Sequence, residues 1–334
     1  MPTLGLDIGG ANIKASDGRE RSLSRPFAIW KEPERLPAEL GAILAEFPEA
    51  DHVAVTMTAE LADCFRTKAE GVARILEGVL SVAGERVVLV WQTAGEFVSA
   101  DLACEFPMLV AAGNWHALAT WVGRSTPTGS ALLIDCGSTT TDLIPLEDGF
   151  PVPEGRTDVE RLLSGELVYT GVRRTPLCAV APVVPFRGGW CPLSAELFAT
   201  TLDVWLLCGV MAEDPAECGT ADGRPATVAG AWTRLAHQIC CDTEECSLEE
   251  ARGMARFLAE RQVESVAVAE RRVAGRFRPW ETVITSGEGE FLIDRVLASA
   301  GVEGAKRLSL EGMLGRQHSG AACAFALARL LEEA

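Results

Sequence analysis

The sequence predicts an α/β protein of two lobes with a phosphate-binding cleft between them, and three observations carry that prediction. One loop is written twice. Leu4-Gly5-Leu6-Asp7-Ile8-Gly9-Gly10-Ala11-Asn12-Ile13-Lys14 and Leu132-Leu133-Ile134-Asp135-Cys136-Gly137-Ser138-Thr139-Thr140-Thr141-Asp142 share an apolar run, an Asp-x-Gly, small or hydroxyl residues, and a charge seven places after the Asp. Apolar runs rich in β-formers alternate with helical patterns along the chain, the signature of α/β architecture. The 334 residues suffice for two domains, each with its own core.

The elements follow in order. The first hairpin leads to a strand over residues 21–29, a helix over 36–47 and a short apolar strand over 52–56. Residues 68–82 form an amphipathic helix stopped at Gly84, followed by a strand over 86–91 and a helix over 111–122. Residues 123–129 are dense in turn formers and mark the boundary, so lobes of 1–125 and 126–334 are expected. After the second hairpin (131–146) the pattern is irregular to Gly155. Helices are then predicted over 159–163, 194–208, 226–241 and 247–273, making a helical insertion in the second lobe. A strand over 282–285, a loop Ser286-Gly287-Glu288-Gly289, a helix through Ala298 and an Ala/Leu-rich helix over 319–331 complete the chain.

The repeated loop has a chemistry. Small residues at the turn let backbone N–H groups approach an anion, and hydroxyls add donors. Gly9, Gly10 and Asn12 in the first copy, with Gly137, Ser138, Thr139, Thr140 and Thr141 in the second, are therefore expected to bind phosphate. Asp7, Asp135 and Asp142 are expected to hold a divalent cation, Mg²⁺, against it. Lys14 would reach the phosphate as a point charge, with a solvated strand end as the alternative. Gly287 and Glu288 form a third loop that reads equally as an ordinary strand-to-helix turn. The segment 161–175 is dense in anion binders: Arg161, Arg173 and Arg174 are expected to bind substrate, and it carries the lone Tyr169. Thr58 and Glu60 follow a strand and should face the cleft, Glu60 as an acid–base group or a helix cap. His116, within Asn114-Trp115-His116, would line the substrate wall, unless this helix simply packs its Trp into the core.

Composition narrows the class. A net charge of −17 argues against non-specific nucleic-acid binding. No apolar stretch is long enough to span a bilayer and the start lacks a basic n-region, so a cytoplasmic location is expected. Eleven cysteines contain no Cys-x-x-Cys, which points to reduced, mostly buried thiols. The four scattered histidines disfavour a zinc site.

Paired Asp-x-Gly hairpins with a Gly-rich third loop resemble the actin-like ATPase superfamily of sugar kinases, acetate kinase and heat-shock chaperones, whose lobes have a ribonuclease H-like topology. A closer resemblance spans nearly the whole chain. The segments 7–14, 55–61, 114–120, 134–142, 161–176 and 220–225 are similar to those of the tetrahydromethanopterin-linked one-carbon transfer proteins, relatives of hydantoinase and oxoprolinase whose archaeal members are methanofuran-biosynthesis synthases.

That resemblance implies a transferase coupling an aminomethylfuran-methyl diphosphate to the phenol oxygen of γ-glutamyl-tyramine, or of tyrosine, with release of diphosphate. It implies Asp7, Lys14 and Asp135 as catalytic residues with Mg²⁺, and a carboxylate or His116 as the group that takes the phenol proton, with Glu60 the chosen candidate. The loops also admit ATP, which this chemistry does not require. The partners implied are small molecules, without nucleic acid or membrane, in a chain that could be a homo-oligomer. An ATP-dependent small-molecule kinase and a nucleotide-responsive binding module remain the alternatives.

Overall fold

The computed structural model describes residues 1–277 and 279–334. The first sheet contains β1 (Thr3–Ile8), β2 (Asn12–Ser16), β3 (Ser22–Pro26), β4 (His52–Met57), β5 (Val87–Gln92) and β6 (Glu96–Ser99), in the order β3-β2-β1-β4-β5-β6. The second contains β7 (Ser130–Cys136), β8 (Thr141–Glu147), β9 (Phe150–Pro151) and β10 (Leu167–Val168). Two later strands, β13 (Thr282–Ser286) and β14 (Lys306–Ser309), complete its order β10-β8-β7-β13-β14, with β9 on β8. Between them in sequence, β11 (Val183–Phe186) and β12 (Gly189–Pro192) form a separate hairpin.

The two large sheets repeat one plan. In each, an antiparallel hairpin (β1–β2, β7–β8) lies beside two further strands that run parallel to its first strand (β4 and β5; β13 and β14). Strands β1, β4, β7 and β13 are apolar and buried along most of their length, as central strands covered on both faces must be. Helices Asn114–Gly123 and Ala322–Glu332 lie between the sheets. Trp115 and Leu118 pack with Leu133, Ile144 and Ala322, while Ala117 and Leu327 pack with Ala54 and Trp91. The chain's last helix thus covers β1 of the first sheet, so closely that a side chain at Gly5 would collide with the carbonyl of Ala324.

Several boundaries differ from expectation. Helix formation expected over 194–208 is confined to Thr201–Leu207. Gln238 takes the backbone carbonyls of Ser194 and Glu196, and Asp203 accepts from Thr200 N at 2.9 Å, which fixes the helix start. The helix expected from residue 111 begins at Asn114, because Ala112 takes a left-handed φ of 49°. The expected strand over 21–29 covers only Ser22–Pro26. The hairpins β5–β6 and β11–β12 were not expected; the latter turns at Arg187, φ 48°, followed by two glycines. All eleven cysteines are free, but only Cys136, Cys246 and Cys323 are buried, fewer than expected. No helix among the described residues is long and apolar enough to cross a membrane.

Candidate functional site

The two Asp-x-Gly hairpins close in the same way. Gly9 N donates to Asn12 O and Gly137 N to Thr140 O, each at 2.9 Å. Register then places Asp7 opposite Lys14 across β1–β2 and Asp135 opposite Asp142 across β7–β8. The charge seven places after each Asp is therefore its cross-strand partner. Ser286, at the end of β13, is the parallel-strand neighbour of Asp135.

The hairpins meet through Lys14. Burial alone would lower its ammonium, but Asp7, Cys323, Asp135 and Glu288 outweigh this and hold it above the usual lysine range. Lys14 thus lies in the field of carboxylates from both lobes. Burial raises the Asp7 carboxyl, against Lys14. Asp135 is pushed up to about 6 by burial and by Asp142, while Lys14 and the Ser286 hydroxyl pull it back. Asp7 Oδ1 is buried without a hydrogen-bond partner. Such an atom suits a hard divalent cation, the fit expected of Asp7. Among the described residues no three acid, His or Cys side chains converge to hold a metal, so an ion here would rely on one or two carboxylates plus water and ligand oxygens, the pattern of Mg²⁺.

The hydroxyl loop is clamped by the segment after β10. Val172 N donates to Gly137 O, and Arg173 N and Arg174 N both donate to Ser138 O, all at 3.0 Å. A side chain at Gly171 would overlap Thr139 N and Gly137 O. Gly171→Ala should therefore push the loop out of shape, lowering affinity for phosphate-bearing ligands at least about 10-fold. Calorimetric titration with inorganic diphosphate would check this, and unchanged affinity would show the loop to be irrelevant. Ser138, Thr139 and Thr140 stay partly accessible, whereas Thr141 does not. Thr141 is expected in the phosphate set, but its buried hydroxyl donates to Thr170 O at 2.8 Å and holds the clamp instead.

The remaining expected residues separate into groups. Gly10 O accepts from Ile29 N, and exposed Thr58 stands beside Gly9. Gly287, φ 88°, lies so close to β7 that a Cβ there would sit 2.7 Å from Asp135 Oδ1. Arg173 pairs with Glu288, its Nε donating at 2.6 Å, and Arg174 stacks 5.2 Å from the ring of Trp30 in the other lobe. Tyr169 is 68% exposed and apart from the carboxylates. Asp142, expected as a metal ligand, receives Arg161 Nη2 at 2.7 Å; burial nevertheless raises its carboxyl. Arg161, expected on phosphate, is fully buried against Asp142 and over the Trp115 ring at 4.1 Å. His116 is buried, accepts from Trp91 Nε1 at 3.3 Å, and is lowered to about 4 by burial and by Arg156 and Arg161. It is neutral at pH 7.

Glu60 lies with Lys68 (3.9 Å) and Asp158 rather than with the hairpin carboxylates, and burial pushes it up to about 7. Lys68 also pairs with Asp158 across the lobes at 3.1 Å. Sequence reasoning missed Lys68 and Asp158 beside Glu60, and Cys323 beside Lys14, because distant segments bring them there. Trp115, offered from the sequence as substrate wall or core, packs in the core with Leu118 and Leu133.

Facing Asp-x-Gly hairpins on duplicated sheets, with a pair of helices between them, define the two-lobed fold class seen in actin-like ATPases and sugar kinases. The chain shares 15% identity over its whole length with a candidate N-acetylmannosamine kinase from Listeria monocytogenes, covering 99% of that chain at a TM-score of 0.50. Within this class the chain belongs to the hydantoinase/oxoprolinase family, whose model matches residues 51–334. It is 35% identical over 99% of its length to the (4-{4-[2-(gamma-L-glutamylamino)ethyl]phenoxymethyl}furan-2-yl)methanamine synthase of Methanocaldococcus jannaschii, spanning 97% of that protein. It is 30% identical over 61% of its length to the synthase of the same name from Methanococcus vannielii, spanning 91% of it.

Proposed function

We propose that this chain is an enzyme of methanofuran-type cofactor biosynthesis, serving tetrahydromethanopterin-linked one-carbon metabolism. It joins an aminomethylfuran-methyl diphosphate to the phenol oxygen of γ-glutamyl-tyramine or tyrosine and releases diphosphate. The observation that carries this reading is the pair of Asp-x-Gly hairpins, closed by the same hydrogen bond, with Lys14 in the field of Asp7 and Asp135 and with Asp7 Oδ1 buried without a partner. The relatives' shared name, a phenoxymethyl-furan, describes the ether that such a reaction would leave behind.

The chemistry follows from the substrate. A furan-methyl carbon stabilises positive charge, so its C–O bond to diphosphate lengthens ahead of attack and the electron pair departs with the diphosphate oxygen. The amides at Gly9-Gly10 and Gly137-Ser138, the hydroxyls of Thr139 and Thr140, and the Lys14 ammonium receive that charge. Asp7, whose Oδ1 is unpartnered, would hold Mg²⁺, and the ion would supply further neutralisation of the leaving group. The phenol oxygen forms the new C–O bond and its proton passes to Asp135, the hairpin carboxylate whose raised pKa still leaves it ionised at neutral pH. Glu60, set apart with Lys68 and Asp158, is free for another task.

The test is incubation with the furan diphosphate, Mg²⁺ and either phenol, followed by mass spectrometry. An ether formed with diphosphate release in the absence of ATP is the expected result. Phosphate transfer from ATP to the furan alcohol, with no ether, would move the chain to the kinases.

A further inference from the structure

Four buried polar atoms without hydrogen-bond partners lie on one ring of residues between the lobes. They are Thr56 Oγ1, Glu60 Oε2, Trp115 Nε1 and Arg161 Nε, on side chains no more than 2% exposed. The ring closes residue by residue. Glu60 approaches Lys68, and Lys68 pairs with Asp158. Asp158 begins the short helix that carries Arg161, and Arg161 stacks on Trp115. Trp115 stands in the first turn of the helix capped by Gly113, which lies beside Thr56 Oγ1, and the Ala112 amide returns to Glu60. Buried polar groups are ordinarily paired, and an orphan costs about 1–3 kcal/mol. Four on one ring call for a polar guest.

The guest's charges can be read from the orphans. Arg161 Nε and Trp115 Nε1 are donors only, and Arg161 is cationic, so together they suit a carboxylate. Glu60 Oε2 and Thr56 Oγ1 accept, and Glu60 with Asp158 supplies negative charge for an ammonium. At the outer side, the Lys68 and Asp158 side chains are 18% and 26% exposed, so the ring opens to solvent there. Its inner side adjoins the reacting centre, because Arg161 bonds Asp142 and Asp142 is the cross-strand partner of Asp135.

We propose that this interlobe ring binds the zwitterionic α-amino acid group of the phenolic acceptor, its carboxylate on Arg161 and Trp115 and its ammonium on Glu60 and Thr56. The assignment rests on the functional reading above. It deepens that reading: both γ-glutamyl-tyramine and tyrosine carry such a group, and tyramine does not. The acceptor is then selected by its amino acid end, and its phenol is presented toward Asp135.

Calorimetry in the presence of Mg²⁺ and inorganic diphosphate tests this with paired ligands: γ-glutamyl-tyramine against N-glutaryl-tyramine, which lacks only the α-amino group, and tyrosine against its desamino counterpart. The wild-type protein should bind one amino acid ligand at least about 10-fold tighter than its desamino partner, the effect of one charge-assisted hydrogen bond. Glu60→Gln should remove that preference without weakening the desamino ligand. Trp115→Phe, which deletes one N–H at nearly constant shape, should weaken both members of the pair.

Equal wild-type affinities within each pair, absence of binding by both amino acid ligands, or equal losses for both ligands in Glu60→Gln would overturn the assignment. Discrimination without ether formation would sink the synthase reading and keep the subsite. Ether formation without discrimination would do the reverse.

Discussion

Asp135→Asn should remove nearly all turnover, by about 10²–10⁴-fold, and leave the fold as stable or firmer. The two effects have one cause. Burial and the neighbouring Asp142 push the Asp135 carboxyl from 3.8 up to about 6. The folded protein therefore holds this proton more tightly than the unfolded chain, and Asp135 withdraws stability as pH rises from about 4 to 6. Asparagine keeps the shape, cannot ionise and cannot accept the phenol proton. In the variant, the part of the stability decline that Asp135 causes over that interval should disappear, as read by denaturant titration at several pH values. In the wild-type enzyme, turnover should climb through about pH 6 as Asp135 ionises. Turnover unchanged by the substitution would remove Asp135 from the chemistry altogether.

Lys14→Met should damage both activity and fold. Lys14 is the shared cation of Asp7, Asp135 and Glu288, so removing it leaves like charges facing one another across the lobes. Stability should fall as well, because the carboxylates lose the cation that offsets their charge. Turnover should fall by about 10²–10³-fold as the departing diphosphate loses its point charge. Adding Asp7→Asn to Lys14→Met removes the stranded carboxylate, so the double variant should regain most of the lost stability and none of the turnover. A double variant no more stable than the single one would show that Asp7 and Lys14 are not energetically coupled.

The hairpins were legible because their chemistry is local. An apolar run, a tight turn and a charge seven places on define both the strand pair and the cross-strand partner. The helix Lys68–Ala83 was legible for the same reason, through its amphipathic pattern and the Gly84 stop. Local signals misled where a distant group intervened. Residues 194–200 have a helical pattern, yet Gln238 claims their backbone. Thr141 reads as one of a run of phosphate-facing hydroxyls, but strand alternation turns it inward to Thr170.

The sequence by itself determined the two-lobed α/β plan, the two Asp-x-Gly hairpins, and Asp7, Lys14 and Asp135 as their charged residues, since each hairpin is encoded within a dozen consecutive positions. Only the tertiary structure decided that Lys14 serves both lobes, that Asp142 is held by Arg161, and that Glu60 joins Lys68 and Asp158 in a separate polar ring. The first and the last of these depend on the angle at which the lobes close over the two central helices, whereas Arg161 reaches Asp142 within the second lobe. That angle is set by side-chain packing summed over Trp115, Leu118, Ala322, Leu327 and their neighbours, which no local pattern encodes.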